Sequence, residues 1–401
     1  MDMTQFLARI DRARLQADTE ALASIAPRIG GTPGEAEARA WVAGKFREAG
    51  LSRVRQQPIY YPQWTGRNAV LLLDGSELNA LALHGSASTP PEGLTAPLLD
   101  LGPGQPDDYD RLPAAALRGK IHLAVTGAIF RRRTVLRAEK TGAAGAVLIN
   151  PQSTEIEAGT AQIFGKMPIF AVGSRTGRAL KCAAAAGAEV TLRVQAKYRL
   201  AKSANVFGEL PGVSRDYIVL AAHYDAWHSG AADNAAGLAV LLELARLWHG
   251  HRFKYTLQFV SFAAEEEGLM GSIFHVLTRL PLVKLRCQGA ISPDIAGPRT
   301  EALYVSGAPR KTRLAAVERL RATGYAGAEI RENILGAYGD YWPYTRLGIP
   351  GLMLSKMPYP DYHTPGDTPD KLDYEDLAYM AAMVGVLIDD SAMWTDPDPG
   401  C

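Results

Sequence analysis

From about residue 199 to the end of the chain, apolar runs of strand length alternate with longer amphipathic runs, and that rhythm admits few folds. "DYIVLAAH" leads to "NAAGLAVLLELARLW", and "KYTLQFVSFAA" to "LMGSIFHVLTRL". "QGAISPD" and "EALYVSG" precede "RKTRLAAVERLRAT", and "IPGLMLS" precedes the closing "YEDLAYMAAMVGVLIDD". Strands this apolar expect cover on both faces, which a parallel-cored sheet between two helix layers provides. The expected class is therefore α/β: an open, mostly parallel-cored mixed sheet with helices on both faces. Upstream, "TPGEAEARAWVAGKFREAG" predicts a helix that starts after Pro33 and stops at Gly50, with Ala38, Val42, Phe46 and Ala49 at helical spacing. Between these parts the character changes. Short runs such as "NAVLLLDG" sit among Pro/Gly/Asp-rich turns, and "KIHLAVTG", "RRTVLRAEKTGA" and "GAVLIN" read as strand, helix and strand. The expected division is 1–55 as a helical part of the main domain, 56–198 as a smaller β-rich insertion, 199–392 as the main domain and 393–401 as a flexible tail.

The polar residues fall where such a sheet binds ligands, at the carboxyl ends of its strands. His223 ends one strand, Glu265 and Glu266 follow another, and Asp294 closes a third. The loop "AAHYDAWHSGAADNAAG" (221–237) adds Asp225, His228 and Asp233 among alanines and glycines, and the late loop "DYHTPGDT" adds Tyr362 and His363. Imidazole nitrogen and carboxylate oxygen are the donors of a zinc-type cation. Asp225, two residues past His223, is placed to hold the far nitrogen of that ring; an ordinary Asx turn is the plainer alternative. "AAEEEG" sets three carboxylates in a row, and their repulsion is costly unless cations or protons offset it. One of them binding metal while its neighbour moves a proton would use both, and composition alone does not say which does which. Glu267 reads as the solvated start of a helix.

Charge narrows the partners little. Lys plus Arg number 43 and Asp plus Glu 42, for a net charge of +1. The densest basic run, "RRRTVLR" (131–137), has no interleaved aromatics and reads as a solvated face, so no nucleic-acid partner is expected. No run of 18 uncharged apolar residues predicts a membrane span. The N-terminus has no apolar secretory core, and Cys182, Cys287 and Cys401 lie far apart in no disulfide framework; cytoplasmic residence is the expectation. The sequence carries no expectation about oligomeric state.

The ordered series "HYD" (223–225), "GAADNAAG" (230–237), "AAEEEGLMGS" (263–272), Asp294 in "SPDIAG" and "YHTPGDT" (362–368) resembles the M28 family of co-catalytic zinc exopeptidases. That family includes leucyl-type aminopeptidases and glutamate carboxypeptidases. "GDYWPYTRLGIP" (339–350) is similar to its segment before the last core strand. The resemblance implies two zinc ions, one on His223 and Asp294, the other on Glu266 and His363, with Asp233 bridging. It further implies Glu265 as general base and proton shuttle and Asp225 as the group orienting His223. Tyr362 would donate a hydrogen bond to the oxyanion, simple packing being its alternative. Pro293, before Asp294, departs from the family's usual apolar residue, and Trp227 and His228 stand where small polar residues are common. Residues 117–151 and 167–194 resemble a protease-associated domain, for which gating or interaction is the implied role.

The implied reaction is hydrolysis of a peptide or small amide, foremost the removal of N-terminal residues from peptides. A carboxypeptidase or small-molecule amidase is an alternative, with Arg131 to Arg133 or Arg346 as receivers of a substrate carboxylate. A glutaminyl-cyclase-like aminoacyltransferase would use one zinc, which five candidate ligands disfavour. A non-enzymatic scaffold would ordinarily have lost ligands or base. Other divalent transition metals suit the same donors.

Overall fold

The computed structural model describes residues 3–127, 131–333 and 338–389. The expected tail at 393–401 lies outside them. The chain forms two compact units, Met1–Tyr61 with Lys202–Tyr359 and Asp367–Cys401, and Pro62–Ala201 with Pro360–Gly366. The second unit's main stretch, Pro62–Ala201, lies close to the expected 56–198. The unit also takes in 360–366, which the sequence reading placed in the main domain. The edges were hidden because strands Ser52–Leu73 and Glu189–Leu210 run through them without a break. Segment 360–366 joins the second unit through bonds such as Ala158 N–H to the His363 carbonyl.

In the first unit the sheet runs Glu329–Glu332, Ala302–Ala308, Gly351–Met357, Cys287–Pro293, Tyr217–His223, Thr256–Phe262 and then the end of Glu189–Leu210. Its four central strands are parallel, and antiparallel neighbours flank them. Side chains alternate between faces, so Tyr217, Val219, Ala221, Val260 and Phe262 form one cluster with Val276, Val283 and Tyr344 of the helices covering that face. On the other face lie helices Ala236–Trp248 and Tyr374–Asp389. Burying each large aliphatic side chain in these layers contributes about 1.5–3 kcal/mol. Register then builds the site. Phe262 pairs with His223, and Ile291 with Leu220, so the third residue beyond that last pair is Asp294 on one strand and His223 on its neighbour.

Two N-terminal helices pack onto this layer. Pro33–Glu48 takes in Pro33 itself, one residue before the expected start: Pro33 occupies the first turn and the Thr32 hydroxyl accepts from Glu35 N–H at 3.2 Å. Its Ala38, Val42 and Phe46 are fully buried. Arg12–Ala23 did not stand out in the sequence, because Leu15 and Leu22 are its only large apolar anchors amid Arg, Gln, Asp and Glu. Strand Glu329–Glu332, "EIRE", escaped notice for a related reason. It is an edge strand, where charged side chains stay in water.

In the second unit the strand order is the start of Glu189–Leu210, then Leu94–Asp100, Ile121–Val125, Gly145–Ile149, Ile169–Val172 and Leu81–Ala82. Helix Arg131–Thr141 connects the parallel strands Ile121–Val125 and Gly145–Ile149, the strand-helix-strand element read from the sequence. Leu123, Val147, Ile149 and Phe170 pack on one face, and Ala124, Val135, Leu148 and Ile169 on the other. Among the described residues no helix is long and apolar enough to cross a membrane.

Candidate metal centre

His223, the last residue of its strand, is buried with its Nε2 3.0 Å from an Asp233 oxygen and 3.5 Å from an Asp294 oxygen. The three residues offer ligand atoms within 4.8 Å of one another, all inside the first unit. Burial alone works against a charged imidazole. Glu265, Asp225, Asp233 and Asp294 outweigh it and hold the pKa of His223 well above its ordinary value. The pocket is thus short of positive charge, and a divalent cation fits both its donors and its sign.

A loop this polar needs bracing, and a wholly buried arginine supplies it. Arg28 donates to the carbonyls of Tyr224 (2.7 Å), Ser229 (2.7 Å) and Gly230 (3.2 Å), and to those of Leu22 and Ile25 (both 3.1 Å). Desolvation lowers its pKa to about 10, against the pull of Asp225, Asp367, Glu266 and Asp233. From the other side, the Asp367 carboxylate accepts from Ala232 N–H at 2.8 Å and Asp233 N–H at 3.2 Å, which sets the backbone that carries Asp233. Burial raises Asp367 to about 6.

Asp225 faces two partners. Its carboxylate accepts from the N–H groups of Glu265 and Glu266, both at 3.1 Å. The hydrogen bond to His223 Nδ1, also 3.1 Å, comes from the Asp225 backbone carbonyl, while the carboxylate stands 3.6 Å away. The side chain therefore seats the acidic turn, and the main chain orients the ring. Glu266 accepts from Trp227 Nε1 at 2.8 Å, so this tryptophan fixes a ligand candidate. Glu265 is held well above the carboxylate range, first by desolvation and then by Asp340, Asp294 and Glu266, with His223 opposing. Glu267 is a correction: rather than being solvated it is buried and accepts from the Tyr61 hydroxyl at 2.6 Å.

Asp233 and Glu266 of the first unit and His363 of the second are each buried and make a second set of candidate donors, with Asp233 common to both sets. His363 is carried by segment 360–366, which Tyr359 and Asp367 of the first unit flank in the chain. Tyr362 stacks on His363, ring centroids 3.8 Å apart. His228 belongs to neither group.

Residues 205–388 match the family model described as Peptidase family M28. Over that stretch the chain is similar to the M28 peptidases, and its mixed α/β fold is consistent with theirs. Aminopeptidase YwaD of Bacillus subtilis (strain 168) is 27% identical over 379 residues, covering 90% of this chain and 80% of its own length. Carboxypeptidase Q of Homo sapiens is 26% identical over 289 residues, 65% of this chain and 59% of that protein. Among solved structures, the aminopeptidase from Aneurinibacillus sp. strain AM-1 superposes with a TM-score of 0.71 at 26% identity, covering 96% of this chain and 95% of its own. The Peptidase M28 precursor from Shewanella amazonensis SB2B reaches 0.78 at 21% identity, over 98% of this chain and 95% of that one, which bears on fold alone. The M28 match and the two donor groups together support a zinc-dependent exopeptidase function with a two-metal mechanism.

Within this fold, sequence reasoning passed over three residues. Asp367 and Asp340 stand inside quoted motifs, "YHTPGDT" and "GDYWPYTRLGIP", without having been singled out. Asp340 is fully buried, and burial raises its carboxyl to about 7 against the opposing pull of His223 and Ser272. Arg28 in "PRIGG" had no signal beyond a cation between a proline and two glycines. Arg131 corrects the reading of its basic run as a solvated face, since it is buried.

Proposed function

We propose that the protein removes N-terminal residues from peptides with two zinc ions, His223 and Asp294 holding one, Glu266 and His363 the other, and Asp233 bridging. The observation that carries this reading is the pair of buried donor groups that share Asp233, with Glu265 next in sequence to one of their members. A bound cation pair polarises the scissile carbonyl and acidifies water. The protein's own groups do the rest. Glu265 takes the proton from water and returns it to the departing amine, a role suited to a carboxyl whose surroundings favour its protonated form. Asp225 holds the backbone of Glu265 and Glu266 so that the two carboxylates act in a set order. Tyr362, stacked on His363, donates its hydroxyl hydrogen to the oxyanion.

Aminopeptidase action is favoured over carboxypeptidase action by the engagement of Arg131, whose donors meet the Ala158 carbonyl and Glu157 rather than standing ready for a substrate carboxylate. A one-zinc aminoacyltransferase would leave part of the five-ligand set unused. We read the inserted unit as protease-associated-like, on its strand-helix-strand core, and the compartment as cytoplasmic, on the three scattered cysteines.

The test is hydrolysis of matched peptides with free and acetylated N-termini by the zinc-loaded protein. Release of the first residue from the free peptide alone is expected. Cleavage of the acetylated peptide from its carboxyl end would overturn the aminopeptidase reading, and absence of zinc-dependent cleavage of either would overturn the hydrolase reading.

A further inference from the structure

We propose that Arg131, together with Glu157, is a positioning residue for His363 and so sets how tightly the cation on that ring would be held. The inference rests on the reading of His363 as a ligand. All the residues concerned belong to the second unit. Arg131 sits at the start of helix Arg131–Thr141 with its side chain 7% exposed, far too buried for a basic residue of a solvated face. Its Nη1 donates to the Ala158 carbonyl at 2.7 Å, and its Nη2 lies 2.9 Å from Glu157 Oε1 and 3.0 Å from His363 Nδ1. The Ala158 carbonyl is itself 3.1 Å from His363 Nδ1, and the Ala158 N–H donates to the His363 carbonyl at 2.9 Å. One arginine thus holds the carbonyl that the ring faces and a carboxylate, and stands beside the ring itself.

The chemistry of the donors gives this arrangement a purpose. A guanidinium can only donate and a carbonyl can only accept. A neutral imidazole that ligates through Nε2 carries its proton on Nδ1, and the Ala158 carbonyl is the acceptor that proton requires. Arg131, by donating to the same carbonyl, fixes the acceptor and hence the ring. Glu157 cancels the charge of Arg131, so a permanent cation can stand beside a ligand without repelling the metal. His363 also has φ +56, in the left-handed region that a residue with a Cβ adopts only when its surroundings impose it. The Ala158 N–H to His363 carbonyl bond belongs to those surroundings.

Equilibrium zinc binding tests the proposal, read by competition with a chromophoric chelator, beside circular dichroism and melting of the metal-free proteins. Wild type is expected to bind two ions. In Arg131→Ala one ion keeps its affinity while the other weakens by roughly 10–100-fold. Arg131→Lys, which keeps the charge and one donor, falls between the two. Glu157→Gln weakens the same ion by exposing it to the uncompensated guanidinium, and Arg131→Ala/Glu157→Gln is weakened no further than Arg131→Ala. Folded Arg131→Ala and Arg131→Lys proteins that bind both ions with wild-type affinity would overturn the proposal with the metal centre intact. Should Arg131→Ala not fold, Arg131→Lys and Glu157→Gln decide the matter by the same readout. A wild type that binds fewer than two ions would instead remove the ligand reading of His363, and this inference with it.

Discussion

The adjacent glutamates Glu265 and Glu266 have different surroundings. Glu266 is tied to Trp227 and lies within reach of Asp233, whereas Glu265 has its carboxyl among Asp340, Asp294 and Glu266. Replacing Glu265 by Gln should lower kcat about 10²–10⁴-fold, the usual loss for a general acid-base, while zinc content stays at the wild-type value. Parallel measurement of turnover and bound metal checks this; a loss of zinc in step with activity would make Glu265 a ligand instead. Arg28 is the second residue whose role is specific to its shape. Lysine keeps the charge but not the planar fork, so Arg28→Lys strands several buried carbonyls at about 1–3 kcal/mol each. Urea unfolding should show a loss of at least 2 kcal/mol, within that range. The ligand candidates were legible in the sequence because acids and imidazoles crowded at strand ends have no structural excuse. Arg28, Arg131 and Glu267 were not, since what distinguishes them is a partner more than twenty residues away.

At the level of elements, the central strands were readable because burial on both faces removes polar residues from them, and Leu220 shows the consequence. Fully buried in Tyr217–His223, it should cost about 2–5 kcal/mol when cut to alanine, measured by denaturant unfolding. Elements with few apolar anchors, Arg12–Ala23 and Glu329–Glu332, could be recognised only once their neighbours were known. Helix Met270–Thr278 carries a different liability. Its His275 is fully buried, and desolvation, with Arg279 and Arg55, lowers its pKa to about 3. The folded chain therefore keeps His275 neutral where the unfolded chain, with a pKa near 6.5, takes up a proton. Stability from this group is complete above about pH 6.5 and declines as pH falls toward 3, by up to about 1.4 kcal/mol per pH unit. Urea midpoints at pH 7, 6, 5 and 4 should drop more steeply in wild type than in His275→Asn; equal slopes would rule His275 out as the source.

For the molecule as a whole, a ligand that binds only the folded chain stabilises it in proportion to the logarithm of its excess. Zinc at a thousand times its dissociation constant contributes about 4 kcal/mol. Chelation should lower the melting temperature by several degrees, and added zinc should restore it; identical melting curves would mean that the donor groups hold no ion. The first unit is assembled from three separate stretches of chain, Met1–Tyr61, Lys202–Tyr359 and Asp367–Cys401. Arg28 shows what that entails for biosynthesis. Leu22 and Ile25 leave the ribosome just ahead of it, but Tyr224, Ser229 and Gly230 follow some two hundred residues later. Until those arrive the guanidinium has to remain hydrated, so the helices beside it have no finished dock to settle into, and translation must run past Gly230 before Arg28 can be locked in place.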